Sequence, residues 1–148
     1  MWYRPVNESS IATPSILLYP DRIQENIRRM IRLAGGAERL RPHVKTHKIA
    51  EVIQLQLQEG IGKFKCATLA EVEMVAEAGG ADILLAYPLL GPGIGMWFDL
   101  VNRFPETRLS VTVDSEHCVQ ELPCYGMRGT ALPFRIWTFF QLQSWPDG

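Results

Sequence analysis

Residues 63–87 read KFKCATLAEVEMVAEAGGADILLAY, a strand, a capped helix, a glycine stop and a second strand in one run. Lys63 to Ala67 has the length and bounds of a short strand. Thr68-Leu69-Ala70-Glu71 fits a capping box, in which the threonine hydroxyl takes the Glu71 amide while the glutamate reaches back. Leu69, Val72, Val75 and Ala76 then recur at helical spacing, and Gly79-Gly80 ends the helix. Ile83 to Tyr87 is continuously apolar, the pattern of a parallel strand buried on both faces.

The same grammar extends in both directions. Thr13-Pro14-Ser15-Ile16-Leu17-Leu18-Tyr19-Pro20 is an apolar run between prolines and reads as a strand. Asp21 is the expected cap of the next helix, which carries Ile23, Ile27, Met30, Ile31 and Ala34 on one side and stops at Gly35-Gly36. Leu40 to His47 is a second strand candidate, followed by a helix through Ile49, Val52, Ile53 and Leu57 that ends at Gly60. Beyond Tyr87, Gly91-Pro92-Gly93 turns the chain into a helix through Met96, Trp97, Leu100 and Val101. Arg108 to Asp114 is a strand with Leu109, Val111 and Val113 alternating, and Ser115 opens another helix. Strand and helix repeating every roughly 20–25 residues specify an α/β fold with a parallel sheet and right-handed crossovers. A closed barrel and an open doubly wound sheet both fit this rhythm.

The chain has 148 residues, enough for one domain but short of the about 250 of a complete eight-stranded βα barrel. A net charge of −1 leaves no basic footprint for nucleic acid or for an anionic membrane surface. No apolar run approaches the roughly 18 residues that span a bilayer. The polar start, Met1 to Glu8, lacks the apolar stretch of a signal peptide. Cys66, Cys118 and Cys124 form no CxxC and no zinc-site spacing, so they read as reduced thiols in a cytoplasmic protein.

The rhythm stops after Leu122. Residues 123–148 hold three prolines and only three charged residues, with apolar side chains at neither helix nor strand period. This tail reads as sequence not selected with the fold, as after a frameshift; an irregular packed segment is the other reading. The expected division is an arm over 1–12, a βα region over 13–122 and the tail over 123–148.

Chemistry concentrates in Arg41-Pro42-His43-Val44-Lys45-Thr46-His47-Lys48. On a strand, His43, Lys45 and His47 share one face. A lysine at the carboxyl end of a parallel strand stands where such folds build active sites. Desolvation there, and any protonation of the two histidines, would favour the neutral amine that Schiff-base chemistry needs. A solvent-facing basic strand end fits the same residues. Cys66, Thr68, Tyr87, Asp114 and His117 are weaker candidates, each with an ordinary role as core, cap or surface. Gly91-Pro92-Gly93-Ile94-Gly95 lacks the lysine and hydroxyl of a P-loop and reads as a turn.

The Thr13-Pro14-Ser15 start, the Pro20-Asp21-Arg22-Ile23 helix with Asn26, the Arg-Pro-His-x-Lys-Thr-His block at 41–47 and Lys63 to Thr68 with Glu71 together resemble the D-threonine aldolase and D-serine dehydratase family. These are fold-type III pyridoxal-phosphate (PLP) enzymes related to the alanine racemase N-terminal barrel. The resemblance covers Thr13 to Leu122. It implies a partial (β/α)8 TIM-type barrel of about four strands, around Lys45, Lys65, Leu85 and Val111. The strand around Ile16 to Tyr19 would then belong to a second, β-rich domain.

By the same resemblance Lys45 is the Schiff-base lysine, with His43, His47 and Tyr87 as further cofactor contacts. The implied function is a lyase acting on D-amino acids. An aldolase would cleave D-3-hydroxy amino acids to glycine and an aldehyde; a D-serine dehydratase would release a keto acid and ammonia. A divalent metal, Mn, Mg or Zn, is expected of full-length members, but no metal ligands are assigned in this chain. The partners implied are a D-amino acid substrate and a second subunit, with neither nucleic acid nor membrane. The chain reads as a truncated copy whose activity is open, with a non-catalytic PLP carrier and an inert remnant as alternatives. Open sheet edges predict aggregation or partial unfolding.

Overall fold

A computed structural model describes residues 3–115, Cys118 and the strand at 135–138. The described helices are α1 (Pro20–Ala34), α2 (Ala50–Gln58), α3 (Leu69–Glu77) and α4 (Pro92–Arg103). The described strands are β1 (Lys63–Cys66), β2 (Asp82–Leu85), β3 (Arg108–Val113) and β4 (Arg135–Thr138). They form one parallel sheet in the order β1-β2-β3-β4, with Lys65, Leu84, Ser110 and Arg135 in register. Helix α3 connects β1 to β2, and α4 connects β2 to β3. This is the parallel βα sheet that the repeat predicts, and it agrees with the partial barrel that the resemblance implies, although the fourth strand is β4 and not one around Lys45.

Burial explains why the sheet holds one shape. Phe64, Cys66, Ile83, Leu85, Leu109, Val111 and Val113 occupy one face and are buried with Ile53, Val72, Val75, Ile94 and Trp97 of the helices. Registered residues of a parallel sheet share a face, so Lys65, Leu84 and Ser110 line the other. Leu84 is only half-buried there. Ser110 beside it is buried, so the second face is partly covered, while the helices of the described residues pack on the first. Gly80 lets the chain close onto β1 after α3, since a Cβ there would stand 2.6 Å from Val75 Cγ1.

Four sequence expectations change. Helix α1 begins at Pro20 with Tyr19 before it, so Asp21 lies in the first turn rather than capping. Proline suits that first position because its missing N–H would have no partner anyway. Residues 11–19 form no strand, and Ile16, Leu17 and Leu18 are exposed. An extended run becomes a strand only against a neighbour, and among the described residues none pairs with this one. Leu40 to His47 is a single bridge at His43 followed by a 3-10 turn. Finally, β4 lies inside the segment read as out of pattern, and it supplies the fourth parallel strand. The rest of that segment, with Cys124, lies outside the described residues, as do His117 and most of the helix expected after Ser115.

Candidate functional site

The lysine block is anchored at its amino end. Arg41 Nη1 donates to the carbonyl oxygens of Phe64 (3.1 Å) and Asp82 (3.2 Å). The same nitrogen is 2.9 Å from Asp82 Oδ1, while Arg108 Nη1 lies 3.8 Å from Asp82 Oδ2. The Lys65 N–H donates to the Pro42 carbonyl at 2.9 Å, so His43 runs beside Lys65 as a single parallel bridge. The chain then leaves the sheet. The N–H groups of His47 (3.2 Å) and Lys48 (2.9 Å) both return to the Val44 carbonyl, closing a 3-10 turn over Val44–Thr46.

The imidazoles explain why a turn replaces the expected strand. His43 Nδ1 accepts the Lys45 N–H at 3.3 Å, and His47 Nδ1 accepts the Ile49 N–H at 3.1 Å. Local side-chain acceptors of this kind compete with ladder pairing. His43, Lys45 and His47 thus share one turn, not one strand face. Val44 is fully buried beneath the turn, and Lys45 is exposed above it. The amine stands near the carboxyl end of β1, and among the described residues no carboxylate pairs with it.

Both histidines are held below the ordinary value of 6.5, chiefly by desolvation. For His43 the nearby Lys45 and Lys65 push the same way. Since each Nδ1 accepts a backbone N–H, the ring proton sits on Nε2. Near neutral pH the histidines are uncharged and add no positive charge beside Lys45. Lys45 is also exposed, so the expected desolvation of its amine is not provided by the described residues.

Glu71 packs against this turn from the head of α3. Its N–H donates to Thr68 Oγ1 (3.2 Å), and its Oε2 accepts the Ala67 N–H (2.7 Å). The capping pair forms, with the return bond one residue earlier than Thr68. Oε1 lies 3.3 Å from Lys48 Nζ, and the Glu71 side chain is 3% exposed. Lys48 has a left-handed backbone, φ +53°, and lies two residues before α2. The capping motif identified Glu71 as a helix start, but no sequence signal links it to Lys48 across the fold.

The other candidates separate. Tyr87 is exposed and lines a cavity of about 490 Å³ with Thr68, Leu69, Leu89 and Gly93, above the carboxyl ends of β1 and β2. Lys45, His43 and His47 do not line it. Cys66 faces the core, where burial first and then Glu71 push its thiol up to about 12, so it is no nucleophile. Asp114 Oδ1 lies 3.7 Å from Cys118 Sγ. Of the Gly91-Pro92-Gly93-Ile94-Gly95 stretch read as a turn, only Gly91 lies outside the helix; Pro92 opens α4, and Gly93, Ile94 and Gly95 lie within it. Among the described residues no cluster of three metal-ligating side chains occurs. No helix of the described residues is long and apolar enough to cross a membrane.

Comparison with known proteins adds a lineage. The family model described as "Alanine racemase, N-terminal domain" matches residues 18–137, a span that includes part of β4. D-threo-3-hydroxyaspartate dehydratase of Delftia sp. (strain HT23) is 33% identical over 129 residues, 86% of this chain and 33% of that protein. 3-Hydroxy-D-aspartate aldolase of Paracoccus denitrificans is 33% identical over 121 residues, 79% of this chain and 29% of that protein. The crystal structure of D-threonine aldolase from Filomicrobium marinum superposes with a TM-score of 0.68 at 26% identity, covering 78% of this chain and 31% of that one. The chain spans about a third of the length of the curated relatives it matches.

Proposed function

Because the chain belongs to the alanine racemase N-terminal domain family of fold-type III PLP enzymes, we propose that Lys45 carries PLP and that the activity is that of a lyase on D-3-hydroxy amino acids. The observation that carries this reading is the presentation of Lys45. Its amine is exposed and unpaired among the described residues, near the carboxyl end of β1, on a turn pinned by buried Val44. These features fit the lysine-binding end of PLP. Cavities at this end of a parallel sheet are where βα folds place their ligands.

PLP, when bound, supplies an electron sink for charge that develops at the substrate Cα. Binding, orientation and proton handling fall to the chain's own residues. Lys45 Nζ holds the cofactor and must shed a proton to do so. His43 and His47 stay neutral and keep Nε2–H donors beside it, without adding positive charge. Tyr87 lines the neighbouring cavity, which supports its reading as a further contact to the cofactor or its substrate. A divalent metal on the substrate hydroxyl would lower its pKa or aid its departure; that requirement, and assembly with a second subunit, are part of the proposal.

Retro-aldol cleavage of D-threonine-type substrates is the favoured reaction, and D-3-hydroxyaspartate joins the substrates to be tried because two relatives carry it in their names. The test is incubation of the purified chain with PLP, borohydride reduction and peptide mapping, with Lys45→Ala as control. A pyridoxyl group on the Lys45 peptide, absent in the control, supports the assignment. Label scattered over surface lysines sinks it. Product analysis then divides the reactions: glycine with an aldehyde means aldolase, ammonia with a keto acid means dehydratase. Specific label with neither product means a non-catalytic carrier.

A further inference from the structure

Glu71 does more than start a helix. A glutamate at the third position of α3 fulfils a cap from the surface, yet this one is 3% exposed. Its Oε2 is committed to the Ala67 N–H at 2.7 Å. Its Oε1 receives no well-aligned hydrogen bond and faces Lys48 Nζ at 3.3 Å. Lys48 is one of the two residues, with His47, whose N–H returns to the Val44 carbonyl, and it does so from a left-handed backbone that a lysine rarely adopts. The Glu71 charge is also felt at both His43 and His47, the two residues that flank Lys45 in the turn. A buried carboxylate is retained where its charge is answered, and here the answering cation belongs to the lysine turn.

We propose that Glu71 is a positioning residue for Lys45: from the β1–α3 junction it grips the turn through Lys48 and fixes where the Lys45 amine stands. This rests on the reading of Lys45 as the cofactor lysine. The grip does not touch cofactor or substrate; it acts through the backbone of Val44–Lys48.

The test uses the full chain with Glu71→Gln, Lys48→Met, the double variant and Lys48→Arg. Glutamine keeps a carbonyl oxygen for the Ala67 N–H and loses only the charge. Two readouts are taken. The first is amide hydrogen exchange across Val44–Lys48, which needs no cofactor. The second is the yield of borohydride-trapped PLP on Lys45. The expected result is several-fold faster exchange in the turn for Glu71→Gln and Lys48→Met, with the sheet amides and the melting temperature little changed. The double variant should be no worse than the worse single one, and Lys48→Arg should behave as the parent. Trapping on Lys45 should fall in step with the loosened turn. Unchanged exchange in the turn, or a uniform rise through α3 and the sheet, overturns the proposal. If the parent itself is not trapped at Lys45, the cofactor reading fails, while the exchange data still decide whether Glu71 holds the turn.

Discussion

His43 and His47 each use Nδ1 to accept a backbone N–H, so each serves the turn only while that nitrogen is unprotonated. Burial lowers both below 6.5 in the folded chain. A group whose folded pKa is depressed binds more protons unfolded, so stability rises with pH between the two values. The contribution is complete above 6.5 and is lost as pH falls from there through the folded value. Melting temperatures measured across this window should therefore drop on the acid side. His47→Asn keeps an acceptor two residues before Ile49 without titrating, and should flatten that part of the profile; an unchanged slope would remove His47 from the account. The sequence singled out Lys45 and its two histidines from their types and proximity. It did not show that they lie on a turn, because alternation along a chain cannot reveal an imidazole that takes a backbone N–H two residues on.

At the scale of elements, local rules sufficed where a helix carried its own signals. Thr68 is the example: its hydroxyl receives the Glu71 N–H, and α3 begins one residue later. Thr68→Ala should cost about 1 kcal/mol of stability, read from denaturant unfolding. A change well below a few tenths would mean that packing alone sets the start of α3. Helices α2 and α4 and strands β1, β2 and β3 likewise fall close to their expected places. Two elements escaped. Residues 13–20 have a strand's composition without a partner among the described residues, and composition cannot supply one. Strand β4 is four residues of a biased tail with no periodic context, and only its register against β3, Ser110 to Arg135 and Val113 to Thr138, identifies it.

At the scale of the molecule, stability is carried by the seam between helices and sheet. Ile83 is fully buried in the middle of that seam, and Ile83→Ala should cost about 2–5 kcal/mol. Ile16 is 74% exposed, and Ile16→Ser should stay within about 0.5 kcal/mol. Paired unfolding curves check both, and a large loss at Ile16 would show that the arm is packed in solution. The sheet's two ends have different duties: Arg41 ties Phe64, Asp82 and the Arg108 side together at the amino end, while Lys45 is displayed toward the other. The chain climbs from one to the other within Arg41–Lys45. In most barrel enzymes foundation and chemistry can diverge separately, because different segments hold them. Here the two are linked: drift in this short stretch acts at once on the scaffold and on the lysine proposed to hold the cofactor.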